Sequence, residues 1–445
     1  MNRSNYLVLA SLFVCQAFAQ TPTPTSLTLE QALALSLKNG KEIKKVKAST
    51  EASRLQIHSA QNMRYPELEV SGTYNRLFDG TDVNLKVPLP PSKEENQMPE
   101  VTPQHLIIAQ AKANIPLFSG FKISNTVTQR KQYYALAQLT ETSTTENVVY
   151  QTINLYFALY KTQQSLVLLN ENLKRAHQRT LDFEQFLANG LIAKNDYLRT
   201  QLQEANIELS LAETKNTLKN ISTRLSTLID YTAETPLVAE KVKPVAILPT
   251  KTDDFSARKD IQGAQKMNEI AQTAIKIARG NYFPSIGLTA GYSALQLDKV
   301  VDITNATSVG IGLKYDLTQL FKNRTEVNKA KAKQLEVDYQ VQLVEDLAKV
   351  ETEEAYNAYE LALKKNAVLA KALVQANENY RIVKDKYDNG LTDTDHLLEA
   401  DVQQLQAQLD HMLGEADETL TLYQYAYKTG KLLDNLQLKD QDGNK

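Results

Sequence analysis

Residues 121–191 read FKISNTVTQRKQYYALAQLTETSTTENVVYQTINLYFALYKTQQSLVLLNENLKRAHQRTLDFEQFLANGL, and residues 321–391 read FKNRTEVNKAKAKQLEVDYQVQLVEDLAKVETEEAYNAYELALKKNAVLAKALVQANENYRIVKDKYDNGL. Neither Gly nor Pro occurs from 121 to 189 or from 322 to 389, and Ala, Leu, Glu, Gln and Lys, the better helix formers, dominate both. The two stretches are predicted as helices over 121–188 and 322–388. At about 1.5 Å per residue each extends for roughly 100 Å, far beyond a globular helix. Along them Leu155, Leu159, Thr162, Leu166, Leu169 and Leu173 recur at spacings of three and four. So do Val337, Val341, Val344, Ala348, Ala355, Ala358 and Ala362, interrupted by Glu351, so coiled-coil packing against neighbours is expected. Each long helix ends at Asn189-Gly190-Leu191 or Asn389-Gly390-Leu391, where glycine takes the left-handed conformation cheaply and a new helix begins. These ends read as the tips of helical hairpins.

The likeness extends outward. Leu117, Phe121 and Lys122 recur as Leu317, Phe321 and Lys322, about 200 residues later. Tyr65-Pro66-Glu67-Leu68 with Tyr74 recurs as Phe283-Pro284-Ser285-Ile286 with Tyr292, at an offset of about 218. The first half therefore carries an insertion, placed at the Pro-rich Val87-Pro88-Leu89-Pro90-Pro91. Two tandem repeats are expected, 20–230 and 259–430, each running helix, two strands, very long helix, helix. The second helices are predicted over 195–230 and 394–430, with a linker at 231–258 carrying Pro236, Pro244 and Pro249, and a polar tail at 431–445.

Between the first helix and the long one, each repeat alternates with period two. Leu68, Val70, Gly72 and Tyr74 stand against Glu69, Ser71, Thr73 and Asn75, and Val309, Ile311, Leu313, Tyr315 and Leu317 against Ser308, Gly310, Gly312, Lys314 and Asp316. Strands are predicted at 67–76, 105–117, 285–295 and 307–317. A small sheet packed on a helix explains such alternation. Segments of about nine to eleven residues, however, suit a tilted membrane strand, and Tyr65, Phe78, Tyr282 and Phe283 cluster at their ends like an interfacial girdle. A bare strand edge cannot stand in hydrocarbon, and membrane barrels need at least about eight strands. Four per chain are too few, so chains must pool them.

The chain has 445 residues, of which 23% are charged and 42% apolar; 50 basic and 52 acidic side chains are mixed along its length. No basic block is available to neutralise phosphates, which argues against nucleic acid as a partner. Residues 1–19 carry Arg3, an apolar run from Tyr6 to Val14, and Ala17-Phe18-Ala19, the pattern of a cleaved signal peptide. Cys15, the only cysteine, lies inside it. Lipidation there is the rival reading, and the bulky Val14 beside Cys15 speaks against it. No later apolar run reaches the roughly 18 residues of a spanning helix.

In this order and duplication, the motifs identify the chain as similar to the TolC family of outer membrane efflux proteins. They are Leu27-Thr28-Leu29-Glu30-Gln31-Ala32, Tyr65-Pro66, Phe283-Pro284, Pro116-Leu117-Phe118-Ser119-Gly120 and the two Asn-Gly-Leu tips. The resemblance implies a mainly α protein with a membrane β-barrel: four strands per protomer, a barrel shared by a homotrimer in outer-membrane lipid, and a coiled-coil α-barrel crossing the periplasm. It also implies docking to a periplasmic adaptor protein and an inner-membrane transporter, for which Asn189, Gly190, Leu191, Asn389, Gly390 and Leu391 are the exposed ends. Carried over by position, the family's constricting aspartates fall on His396 and Glu399, and its latching pair on Tyr387 and Asp196. The latch matches in type. The constriction departs from the family: Asp393 and Asp395 flank the two replacements, and the family's latching arginine falls on Thr392.

Read from the residues alone, the second tip is acidic, with Asp385, Asp388, Asp393, Asp395, Glu399 and Asp401 close in sequence. A charge run is usually a solvated face. Three copies about an axis would instead make a cation-attracting ring, with Glu399 and either Asp395 or His396 lining it.

Enzymatic chemistry finds no purchase. The five histidines, His58, His105, His177, His396 and His411, show no metal-ligand spacing, and neither a phosphate loop nor a nucleophile elbow occurs. No cofactor is expected. The competing class is a soluble periplasmic coiled-coil adaptor or structural protein, which the duplicated strand pairs disfavour.

Overall fold

The computed structural model describes residues 26–78, 103–231, 237–242, 251, 254–298 and 300–438. The predicted leader with Cys15, the Pro-rich insertion and the three linker prolines lie outside them.

The first half runs β1 (Ser26–Leu27), α1 (Leu29–Asn39), α2 (Lys41–Asn62), β2 (Glu67–Arg76), β3 (His105–Ser119), α3 (Lys122–Ala188) and α4 (Lys194–Leu228). The second half comprises β4 (Val238–Ala239), α5 (Lys259–Arg279), β5 (Ser285–Leu297), β6 (Val301–Lys314), α6 (Thr318–Asp388), α7 (Thr394–Lys428) and α8 (Leu432–Asn435). The chain is therefore mainly helical, and α3 and α6 are helices of 67 and 71 residues. No helix among the described residues is long and apolar enough to cross a membrane.

β3 and β5 each run two residues past their expected ends, and β6 departs further. β6 spans Val301–Lys314 rather than 307–317, so Tyr315 and Leu317 leave the sheet. Asp316 Oδ1 accepts from the Thr318 amide at 3.0 Å and starts α6 there, before the expected residue 322. A carboxylate that satisfies an orphan amide of the first turn outweighs continued alternation.

The strands form an open antiparallel sheet in the order β2-β3-β5-β6. Beneath it the helices repeat that order: α2 packs on α3, α3 on α5 and α5 on α6. Further along the long helices the row becomes α4-α3-α7-α6. Two flanks of the protomer are consequently bare. One carries β2, exposed at every residue, with α2 and α4; the other carries β6 and α6. Apolar side chains line these flanks in the open, among them Leu198, Leu202 and Leu209 of α4 and Tyr339, Leu343 and Leu347 of α6.

The predicted stripes face inward: Leu159, Leu169, Ala348 and Ala355 are buried and their companions mostly half-buried. Glu351, the interruption, receives Arg258 at 2.8 Å and Lys428 at 2.7 Å, which neutralises a charge set among apolar neighbours. The main core sits midway along the helices, where α1, β1, β4 and α8 gather around them. Ile153, Tyr156, Phe157 and Leu159 of α3 pack there with Leu225 of α4 and Tyr423 of α7. The Tyr156 hydroxyl lies 2.8 Å from Leu27 O and 2.9 Å from Glu240 O, pinning both short strands to α3.

Candidate functional site

The two hairpin tips share one turn. Each helix ends in an Asn, and Gly190 and Gly390 both take φ 71°. Gly190 N donates to Leu187 O and Leu191 N to Phe186 O; Gly390 N donates to Tyr387 O and Leu391 N to Lys386 O. That pattern closes the last carbonyls of a helix around a left-handed glycine. It leaves Leu191 and Leu391 standing 70% and 76% exposed, apolar knobs that no described residue covers.

Beyond the turns the two tips differ. Ala193 begins α4 with no side-chain cap, whereas Asp393 caps α7 by accepting from His396 N at 3.1 Å. The same oxygen lies 2.6 Å from His396 Nδ1. The backbone N–H first, and then the ring, hold the Asp393 carboxyl below its ordinary range.

Five of the six acidic residues of the second tip are exposed, but their neighbours differ. Asp385 pairs with Arg381 at 2.9 Å and Asp388 with Lys384 at 2.6 Å, both on their own helix. Asp393 serves the cap, and Asp395 pairs with Arg199 of α4. Asp401 is 4% exposed and faces Arg179 of α3. Only Glu399, exposed and accepting from Gln403 at 3.2 Å, has no cationic partner among the described residues.

Tyr387 and Asp196 come together, though not through a direct bond. The Tyr387 ring stacks on Phe183 of α3 with centroids 6.0 Å apart and an interplanar angle of 6°. Burial pushes its pKa up, and the nearby Asp196 charge adds to the rise.

Sequence reasoning missed a second tie. Asp401 Oδ2 accepts from Arg179 Nη1 at 3.1 Å and from Gln203 Nε2 at 3.2 Å, and Tyr380 lies close enough to favour the Arg179 charge. Residues of α3, α4, α6 and α7 thus meet at one buried point. Burial opposes the Arg179 charge, but Asp401 and Tyr380 outweigh it and keep its pKa raised. The one signal available in sequence was an arginine on an otherwise inward-facing stretch of helix.

Among the described residues no group of His, Cys, Asp and Glu could hold a metal ion.

A model of the outer membrane efflux protein family matches residues 32–229 and 255–423. The outer membrane efflux protein BepC of Brucella suis is 20% identical over 325 residues, 72% of this chain and 71% of BepC. The probable outer membrane lipoprotein SilC of Salmonella typhimurium is 24% identical over 268 residues, 58% of this chain and about half (53%) of SilC. The Campylobacter jejuni CmeC outer membrane channel superimposes with a TM-score of 0.78 over 91% of this chain and 86% of that one. At 17% identity that is a likeness of fold. Because the family model spans both the sheet-bearing and the tip-bearing parts of each half, the chain belongs to the outer membrane efflux protein family, a family of channels rather than enzymes.

Proposed function

We propose that three copies of this chain form a channel-tunnel through the outer membrane and into the periplasm. It exports small molecules or polypeptides as one part of a tripartite efflux or secretion complex. The observation that carries this reading is the matched order of strands and helices, which leaves sheet and helical wall bare on the same two flanks. Joining β6 and α6 of one protomer to β2, α2 and α4 of the next satisfies the open strand edges. It also covers the exposed leucines of α4 and α6, and the ring closes when enough strands are pooled. Twelve strands from three chains exceed the roughly eight that a membrane barrel requires. A cleaved leader at 1–19 delivers the chain, and the Asn-Gly-Leu tips, with Leu191 and Leu391 exposed, dock the adaptor that leads to the inner-membrane transporter.

At the periplasmic end Glu399, the unneutralised carboxylate, lines the constriction. His396 and Asp395 stand beside it, each already engaged by a neighbour. Tyr387, stacked on Phe183 and close to the Asp196 charge, latches the two tips.

The test is membrane fractionation with gel analysis, then planar-bilayer recording. A heat-modifiable trimer in the outer membrane that gives discrete conductance steps is expected; a soluble periplasmic product would favour the adaptor reading. Glu399→Ala should change conductance or cation block, and Tyr387→Phe should raise the open fraction. Wild-type behaviour in either variant removes that residue from the gate.

A further inference from the structure

Arg130, about two turns into α3, has no carboxylate within ion-pair distance among the described residues. Its guanidinium donates from Nη1 to Gln56 Oε1 at 3.2 Å and stands 5.8 Å from the centroid of the Tyr133 ring. Glu51 of the facing helix α2 is taken by Arg54 at 2.7 Å. Arg130, Gln56 and Tyr133 border an open cleft of about 370 Å³ between α2 and α3, within the size range of small-molecule sites. Hydroxyls complete its walls: Ser49, Thr50 and Ser53 from α2 and Thr140 from α3. Thr50, Ser53 and Thr140 donate to Val46 O, Ser49 O and Leu136 O of their own helices, which leaves their oxygens as acceptors.

The row of helices has two broad faces. α1, β1, β4 and α8 gather on one of them, where Tyr156 meets Leu27 O and Glu240 O, and Gln163 bonds to Leu237 O and the Ala239 amide. Once the row closes into a ring, elements of that bulk fit only outside it, because three copies turned inward would fill the bore. Tyr133 and Thr140 precede Tyr156 by about six and a half and four and a half turns of α3, so they lie on the opposite face. The cleft therefore opens toward the bore. Down the same face at heptad spacing follow Thr144, Asn147, Gln151 and Asn154, all uncharged, so this face of α3 offers no carboxylate to cancel Arg130.

We propose that the α2–α3 cleft is a subsite in the bore for anionic, hydroxyl-bearing solutes in transit, with Arg130 as its anchor. An oxyanion takes the fork of the guanidinium in two charge-assisted bonds. The solute's hydroxyls donate to the oxygens of Ser49, Ser53 and Thr140, and the Tyr133 ring backs its apolar edge. Three copies of Arg130 around one axis concentrate anions there. The cleft is open and shallow, so residence is brief, as passage requires. This rests on the channel reading, and it adds a charge preference just beneath the sheet, far from the tips.

The experiment uses the full-length assembled protein and a matched pair of probes, glucose 6-phosphate and glucose. In planar bilayers at about 0.1 M KCl, glucose 6-phosphate should reduce the single-channel current at concentrations where glucose does not. The block should fade in about 1 M KCl, because the guanidinium is open to solvent. Arg130→Gln should raise the concentration for half block about tenfold or more, the worth of a charge-assisted contact. Arg130→Lys, which keeps the charge but not the fork of donors, should fall between wild type and Arg130→Gln. Calorimetry on the detergent-solubilised protein reads the same binding without current. Thr140→Glu, which sets a carboxylate across the cleft, should abolish block and heat alike, and it serves if Arg130→Gln fails to assemble. Assembled Arg130→Gln and Thr140→Glu proteins with wild-type block and wild-type heat overturn the subsite. So does a wild type that distinguishes the two probes by neither measurement. Arg130-dependent heat in an assembled protein without conductance steps keeps the anion site and overturns the channel reading, and with it the site's place in a bore.

Discussion

The two hairpin tips are a controlled comparison within one chain. Their turns agree in every hydrogen bond that closes them, down to the side chains of Asn189 and Asn389, which donate to Gln185 O and Asp385 O. Their surroundings diverge. The first tip restarts its helix from an uncapped Ala193 and sends Arg199 outward, whereas the second restarts from a capping Asp393 and receives that arginine on Asp395. Shared turns and divergent flanks indicate two separate demands. The turn must present Leu191 and Leu391 in the same way, and the residues after it decide how tightly each tip is held and what charge it shows.

The largest effect should come from the contact that both tips share. Phe183 is 2% exposed and stacks on Tyr387, so Phe183→Ala should cost about 3 kcal/mol in denaturant unfolding. A loss near zero would mean the tips are not packed on each other in the assembled protein.

Next come the glycines. A Cβ at Gly190 or Gly390 would meet nothing within 4 Å, so backbone strain at φ 71° is the only cost of Gly190→Ala or Gly390→Ala. Each should lose about 1 kcal/mol, equally. An unequal pair of losses would show that the turns are not equivalent in the protein.

The smallest effect sharpens the difference between the tips. Ala193→Asp should give the first tip the cap it lacks and add about 1 kcal/mol, while Asp393→Ala should remove the second tip's cap. The Asp393 effect carries a pH signature. Its folded pKa lies below the ordinary 3.8, so its contribution is present above that value and fades as pH falls through the lower folded value. Protection of the His396 amide from hydrogen exchange, corrected for the intrinsic rate, should track that course in wild type and be flat in Asp393→Ala.

How much of this was legible in the sequence depends on how far apart the partners lie. The long helices were readable because helix formation is local: unbroken runs of good formers and an Asn-Gly stop suffice. The strands were readable from alternation, except at the end of β6, where the single side chain of Asp316 started a helix early. The acidic tip was legible as a largely exposed run, but its pairings were not. Four of its six carboxylates were taken up by a side chain within four positions or by the adjoining hairpin's Arg199, and Asp401 went inside. Arg179 and Asp401 are 222 residues apart, and nothing in either neighbourhood announces the other.

The sequence by itself therefore determined the parts: helices too long for a globule, strands too few to close alone, and turns that reverse the chain at matched points. These depend on backbone propensity and periodicity, which act over a few residues. Only the tertiary structure decided the order in which the parts stand, which flanks remain bare, which acidic residue is left unneutralised, and where the two hairpins are tied. Those outcomes depend on charges and apolar faces meeting across hundreds of residues, where burial gives a single pair its weight and spacing along the chain carries no information.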